Sequence, residues 1–157
     1  MVISDTSSVS NLLQVGQIDL LRRLFGSVVI TPAVRRELFV LETQQHSLTG
    51  LTWLKVEAPS NHKLVMQLLT ELDLGESESI ALALERDAEY LIIDEYRGRM
   101  IAETYGIRIV GVLGLLIKAK QEGLIPSVKD EVDKLLRIGF RLNKGLVTSV
   151  LRRLGEL

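Results

Sequence analysis

The chain has 157 residues, 46% of them hydrophobic, a formal net charge of −1 and no cysteine. That length suits one domain burying roughly 68–70% of the surface its unfolded chain would expose, so neither a disulfide nor a structural metal is needed to hold it. A near-neutral charge excludes a global basic field for nucleic acid, and the missing cysteine excludes disulfides and thiolate chemistry.

The N-terminus has no basic start, and Asp5 interrupts any apolar signal core, so the chain reads as a mature intracellular protein, placed in the cytoplasm. The longest unbroken apolar run, Ile109 to Ile117, has nine residues. A spanning helix needs about 20, so no membrane is expected. From Lys118 onward nine Lys and Arg stand against five Asp and Glu, a mild asymmetry of the kind that solvated helix faces produce.

In chain order, Val2-Ile3-Ser4 reads as a strand for the middle of a sheet, ending at Asp5 and running into Thr6-Ser7-Ser8. Ser7 or Ser8 would cap a short helix through Val15, which Gly16 ends. A helix over Asp19 to Phe25 stops at Gly26, and Val28-Val29-Ile30 reads as a second buried strand. Thr31-Pro32 supplies an N-cap and a proline at the first helical position, opening a helix to about Leu41. Glu42 to Gly50 reads as a loop or a frayed extension of it. Trp53 to Val56 suits a short edge strand, followed by a helix from about His62 to Leu72. Gly75 is expected to break the pattern, with a helix over Glu76 to Arg86 beyond it.

Tyr90-Leu91-Ile92-Ile93 is the third strong strand, ending at Asp94. A helix over Tyr96 to Tyr105, a strand over Ile107 to Val110, and helices over Val112 to Gln121, Val128 to Ile138 and Lys144 to Leu154 complete the chain. Alternating strands and helices imply one α/β domain over 1–157. The expected form is a three-layer α/β/α arrangement with a mostly parallel sheet of four to five strands and extra C-terminal helices.

Asp5 and Asp94 each follow an apolar strand and precede a helix, so in a parallel sheet both point out of the same edge, where open α/β folds bind ligands. Each would equally serve as an N-cap. Glu37 shares the apolar side of its helix with Val34 and Leu41, and its long side chain would equally reach out to water. Glu76 and Glu78 stand in a first helical turn, where acids suit the helix dipole. Spacing does not decide which of the two faces inward. If these carboxylates converge, two of them about 4 Å apart repel by ~4 kcal/mol at an effective dielectric near 20, so a cation must sit among them. Oxygen ligands favour Mg²⁺ or Mn²⁺ over zinc. His46 and His62 lie in or beside predicted loops remote from the acids and are not expected to contribute.

The order of these segments resembles the PIN-domain ribonucleases, and most closely a branch of small prokaryotic PIN proteins. The segments are a strand ending in Asp5, a Thr-Pro helix carrying Glu37, Gly75-Glu76-Ser77-Glu78-Ser79-Ile80-Ala81-Leu82-Ala83, and Leu91-Ile92-Ile93-Asp94-Glu95. The resemblance extends through Gly111-Val112-Leu113-Gly114-Leu115-Leu116 and Gly139-Phe140-Arg141-Leu142. It implies a PIN-like fold and hydrolysis of RNA phosphodiesters with Mg²⁺ or Mn²⁺. It assigns Asp5, Glu37, Glu78 and Asp94 to the catalytic, metal-ligating acids, with Glu76 as rival to Glu78 and Glu95 as an indirect support. It further implies a homodimer and the toxin role of a toxin–antitoxin pair, silenced by a small antitoxin protein, although other relatives process RNA without one. Apolar residues over Ile18 to Phe25 and Ile30 to Leu41 exceed one stripe and offer a face for such a partner.

Hydrolysis of this kind needs no protein nucleophile, and no Ser/His or Cys/His pair is evident. Arg97 and Arg99 stand where they would meet substrate phosphates or pair with Glu95 or Glu103 on their own helix. Thr6 and Ser7 would hold a water or, more simply, cap the first helix. Gly111 and Gly114 fit close strand-to-helix packing. A Mg²⁺-dependent phosphoacceptor or signalling domain uses similar acids at strand ends, but a Lys at a later strand end is missing, since Val110 is followed by Gly111. Haloacid-dehalogenase-like phosphatases need an Asp at position 7, which is Ser. A PIN fold that only binds is disfavoured by acids at all four places.

Overall fold

A computed structural model of the chain describes all residues 1–157. Five strands, β1 (Val2–Ser4), β2 (Val28–Ile30), β3 (Leu54–Val56), β4 (Tyr90–Ile92) and β5 (Ile109–Val110), form one sheet in the order β3-β2-β1-β4-β5. Every pairing is parallel, so the expected mostly parallel sheet is wholly so. The ten helices are α1 (Thr6–Gln14), α2 (Asp19–Phe25), α3 (Pro32–Leu38), α4 (Glu42–Leu48), α5 (His62–Leu68), α6 (Leu74–Glu85), α7 (Tyr96–Thr104), α8 (Val112–Gln121), α9 (Val128–Arg137) and α10 (Lys144–Arg153).

The opening strand is the middle of the sheet. Successive side chains of a strand point to opposite faces, and here both faces are buried. Val2, Val28, Ile30 and Ile92 pack into one core with residues of α1, α2, α8 and α9, while Ile3, Val29, Leu91 and Ile93 pack into the other with residues of α5 and α6. Apolar runs without alternation are the consequence. The chain winds outward from β1 through β2 to β3, then returns past β1 to place β4 on its other side. Strand order therefore reverses between β1 and β4, which opens a crevice at their carboxyl ends.

Three local expectations are corrected. Asp5 itself caps α1, accepting from the Ser8 N–H, so neither Ser7 nor Ser8 does. The stretch 42–50 is neither a loop nor an extension of the preceding helix: α3 ends at Leu38, and α4 is a separate helix held by buried Leu48 and by a hydrogen bond from Gln44 Nε2 to Ser10 Oγ (2.8 Å). Gly75 does not stop the chain from turning helical. α6 begins at Leu74 because Asp73 caps it, taking a 2.8 Å hydrogen bond from the Glu76 N–H. The Asp73-x-x-Glu76 spacing is that of a capping box and carried the signal.

The C-terminus is tied down. Glu156 accepts from the Val128 and Lys129 N–H groups at the start of α9, from Ser127 Oγ and from Lys120 of α8. These charge-assisted bonds satisfy donors that a helix start leaves unpaired, and they hold the end of α10 against α8 and α9. Of the apolar residues expected to face a partner, Leu20 and Leu21 are core, Leu24 and Phe25 pack against it, and Val40 and Leu41 are exposed. No helix is long and apolar enough to cross a membrane.

Candidate functional site

β1 and β4 pair with Ser4 beside Ile92, and the Asp5 N–H donates to the Ile92 carbonyl (3.0 Å). Asp5 and Asp94 thus leave adjacent strand ends at the point where strand order reverses. The Asp5 carboxylate is 3% exposed and accepts from the Ser8 N–H (3.0 Å) and from Ser7 Oγ (3.3 Å). Asp94 accepts from the Val112 N–H, the first donor of α8, at 3.1 and 3.2 Å, and from Ser8 Oγ at 3.1 Å. Fully buried Ser8 therefore ties one acid by its backbone and the other by its hydroxyl. Sequence reasoning saw only a cap in it, because nothing in the spacing reveals that its hydroxyl faces a strand 86 positions away.

Glu37 comes from the last turn of α3, which packs on α1 and α6. Its carboxylate accepts from Thr6 Oγ1 (2.6 Å), so Thr6 orients an acid and caps nothing. From α6 come Asp73 and Glu76, and from the start of α7 comes Glu95, whose side chain accepts from the Gly98 N–H (2.8 Å). Asp5, Glu37, Asp73, Glu76 and Glu95 line one pocket of about 320 Å³ with Thr6, Ser7 and Ser10. No apolar residue lines it.

Glu78 lies elsewhere. Its carboxylate accepts from the Ala33 N–H (2.9 Å), satisfying an unpaired donor in the first turn of α3. Glu76, the rival, is the one on the pocket wall. Asp73 escaped the sequence reading altogether. Arg97 reaches neither the pocket nor an acid on its own helix but pairs with Glu71 (3.0 Å). Arg99 donates to the Ile93 carbonyl (2.8 Å) beside Asp94. His46 and His62 do not line the pocket.

Three glycines make room for three of these carboxylates. A Cβ on Gly75 would stand 2.6 Å from Glu37 Oε1, one on Gly98 2.7 Å from Glu76 Oε2, and one on Gly111 2.6 Å from Asp94 Oδ1. The close packing expected at Gly111 is thus against an acid as well as a helix. At Gly114 it is against Val110 Cγ2, at 2.9 Å.

The cluster is electrostatically unsatisfied. Burial pushes the Asp5 carboxyl from 3.8 up to about 6, with nearby Asp94 adding to the rise and the Ser8 and Ser7 hydrogen bonds opposing it. Glu76 goes further, from 4.5 to about 8, through burial first and then through the neighbouring Asp73 and Glu95 carboxylates. Asp94 is raised by burial against the pull of Val112, Ser8 and Arg99. Glu95 moves down: burial opposes the shift, but the Gly98 and Arg97 N–H groups, neighbouring Glu76 and the Arg97 charge outweigh it. Glu76 Oε2 is buried without a hydrogen-bond partner.

Such a set is chemically ready for a cation. All its donors are oxygens, which suit hard divalent ions, and one buried carboxylate oxygen has nothing to accept from. No three acidic side chains stand at the spacing of a closed coordination shell. Mg²⁺ does not require one, since it is commonly held by one or two carboxylates, waters and substrate phosphates. Glu37 and Glu76 reach the pocket on flexible stems that a cation would draw inward.

The family model DUF3368, a PIN domain, matches residues 1–156. No curated protein sequence matches the chain. A match over almost the full length, on a chain with this sheet order and with acids at these strand ends, leaves one conclusion: the protein belongs to the PIN-domain family.

Proposed function

We propose that this chain is a Mg²⁺- or Mn²⁺-dependent endoribonuclease whose metal-ligating acids are drawn from Asp5, Asp94, Glu37 and Glu76, with Asp73 and Glu95 beside them. PIN domains are generally nucleases and typically use divalent metal ions. The observation that carries the reading is the convergence of five carboxylates in one pocket at the crevice between β1 and β4, with Asp94 held at its side. An ion held by these acids would lower the pKa of water and would neutralise charge that builds on the scissile phosphate. The chain supplies the rest: Ser8 holds Asp5 and Asp94 at a fixed separation, Thr6 aims Glu37, and burial keeps Asp5 out of bulk water.

The test is cleavage of a single-stranded RNA with Mg²⁺ or Mn²⁺, comparing wild type, Glu76→Gln and Glu78→Gln. Glu76→Gln is expected to lower the rate by about 10- to 100-fold, in line with loss of roughly 1.4–2.7 kcal/mol of transition-state stabilisation. Glu78→Gln, whose amide oxygen still accepts from Ala33, stays within about threefold of wild type. The opposite ranking would return the third acid to Glu78, and no cleavage by wild type would end the ribonuclease reading.

Gly75→Ala separates site geometry from stability. The backbone at Gly75 is helical, and the added Cβ meets only the far end of Glu37. Alanine in a helix is worth up to about 1 kcal/mol over glycine. The melting temperature is therefore expected to hold or rise while cleavage falls about 10-fold as Glu37 is displaced. Unchanged cleavage would remove Glu37 from the site.

The toxin role and the homodimer belong to the same proposal, supported by the exposed Val40 and Leu41 between α3 and α4. A solution mass of one 17.5 kDa chain at micromolar concentration would contradict the dimer.

A further inference from the structure

β3 is an outer strand of the sheet, paired with β2 on one side only. The Val28 N–H donates to the Trp53 carbonyl and the Glu57 N–H to the Ile30 carbonyl, so positions 53, 55 and 57 turn their backbone groups towards β2. Backbone groups alternate in direction along a strand, and the Val56 N–H and carbonyl therefore point away from the sheet. An edge of this kind accepts an added strand.

Beside that edge lies a cavity of about 440 Å³, lined by Val56 and, from α3, by Pro32, Arg35, Arg36 and Phe39. None of these residues lines the acidic pocket. Arg35 and Arg36 are exposed and neither makes an ion pair; the Arg35 guanidinium lies over the Phe39 ring, 5.1 Å from its centre. Val56 is 45% exposed, and Val40, directly after Phe39, is 79% exposed. Side-chain alternation puts Lys55 on the other face of the strand, where it too is exposed and makes no ion pair. Glu57, the acid that follows β3, is already paired with Arg86.

Charge decides what suits this edge. An added strand would set every second side chain on the α3 face, so an apolar one fills the cavity while its neighbours two positions away meet Arg35 and Arg36. A second copy of this chain, pairing β3 with β3 about a two-fold axis, would bring its own Arg35, Arg36 and Lys55 to the same edge, like charge against like. An acidic segment of a different protein meets unpaired cations instead.

We propose that the free edge of β3 is a docking site for an extended, acidic segment of a partner protein. The segment joins the sheet through the Val56 N–H and carbonyl, places an apolar side chain in the cavity and sets carboxylates on Arg35 and Arg36. The site goes beyond the nuclease reading and does not depend on it, since no residue of the acidic pocket takes part.

The experiment titrates the full chain against the fluorescein-labelled peptide Ser-Glu-Thr-Val-Thr-Glu-Ser, in which Val and both Glu share one face, and against its counterpart with Lys for Glu. The acidic peptide is expected to bind at least about 10-fold more tightly than the basic one, because like charges across an interface are costly. Arg36→Glu is expected to weaken the acidic peptide about 10-fold and to strengthen the basic one, a reversal that a misfolded chain does not give. Amide hydrogen exchange locates the added strand: the acidic peptide is expected to slow exchange at Val56 and to leave the amides of α6 unchanged. An acidic peptide bound no better than the basic one, affinity indifferent to Arg36→Glu, or binding that leaves Val56 exchange unchanged overturns the proposal. Slowing of Val56 exchange by the chain's own dimerisation overturns it as well and gives the edge to a second copy. Displacement of the bound peptide by a single-stranded RNA, lost in Arg36→Glu, overturns it in favour of nucleic acid.

Discussion

Asp5→Asn and Asp94→Asn are each expected to lower kcat/KM for RNA cleavage by about 100-fold or more, and Asp5→Asn to make the metal-free protein more stable. A metal's charge stabilisation is worth several kcal/mol, and about 2.7 kcal/mol is already a factor of 100. Asparagine keeps the local structure in both places. At position 5 its oxygen still caps α1 by accepting from the Ser8 N–H, and Asn caps helices as well as Asp does. At position 94 its oxygen still accepts from the Val112 N–H. What is lost is negative charge, which costs the empty site stability. The gain for Asp5→Asn at pH 8 is expected to be about 1–3 kcal/mol, bounded by 1.36 kcal/mol per unit over a rise from 3.8 to about 6. Chemical denaturation in the presence of a chelator reads it. Loss of stability in Asp5→Asn would show that the carboxylate charge serves the fold.

The second large effect is a fall in metal-free stability as pH rises. A group whose folded pKa lies above its unfolded value contributes most when protonated, and its contribution is lost as pH passes through the folded value. Asp5 rises from 3.8 to about 6 and Glu76 from 4.5 to about 8, both by burial first, so their contributions disappear between about pH 4 and pH 8. Glu156 has the opposite sign. Its carboxyl is lowered to about 2, so its contribution is complete above 4.5 and fades only in acid. Between about pH 5 and 8 the site acids therefore set the slope. In chelator the midpoint of urea unfolding is expected to fall across that range. Millimolar Mn²⁺ is expected to raise the midpoint more at pH 8 than at pH 5, because ligands bind metal only when deprotonated. A midpoint that rises with pH in chelator would contradict the assignment of Asp5 and Glu76 as strained acids.

The sheet was legible because its strands are short apolar runs buried on both faces, and the acids at two strand ends were legible because parallel strands share one carboxyl edge. Which of Glu76 and Glu78 faces the pocket was not. α6 is buried over Gly75, Ser77 and Ser79 to Ala83, so no polar stripe marks which side Glu76 or Glu78 takes. The choice was made in three dimensions, by α3, whose first turn presents an unpaired Ala33 N–H to Glu78. Asp73 looks like any exposed helix cap, and it is one. Its second role exists only because α7 brings Glu95 to the same place. Gly75 read as a helix breaker because glycine usually is one, whereas here the missing Cβ admits Glu37 from another helix. Arg97 was placed near the right strand end, but Glu71, from the turn after α5, captured it. Long-range pairing of this kind leaves no trace in local spacing.

Calorimetric titration of the wild-type chain with Mn²⁺ at pH 7, repeated in buffers of different ionisation enthalpy, tests the central claim most directly. If the acidic pocket is a divalent-ion site, Mn²⁺ binds with release of about one proton, chiefly from Glu76 with its pKa near 8, and Glu76→Gln removes most of that release. Binding without proton release, or no binding by the folded chain, would contradict it.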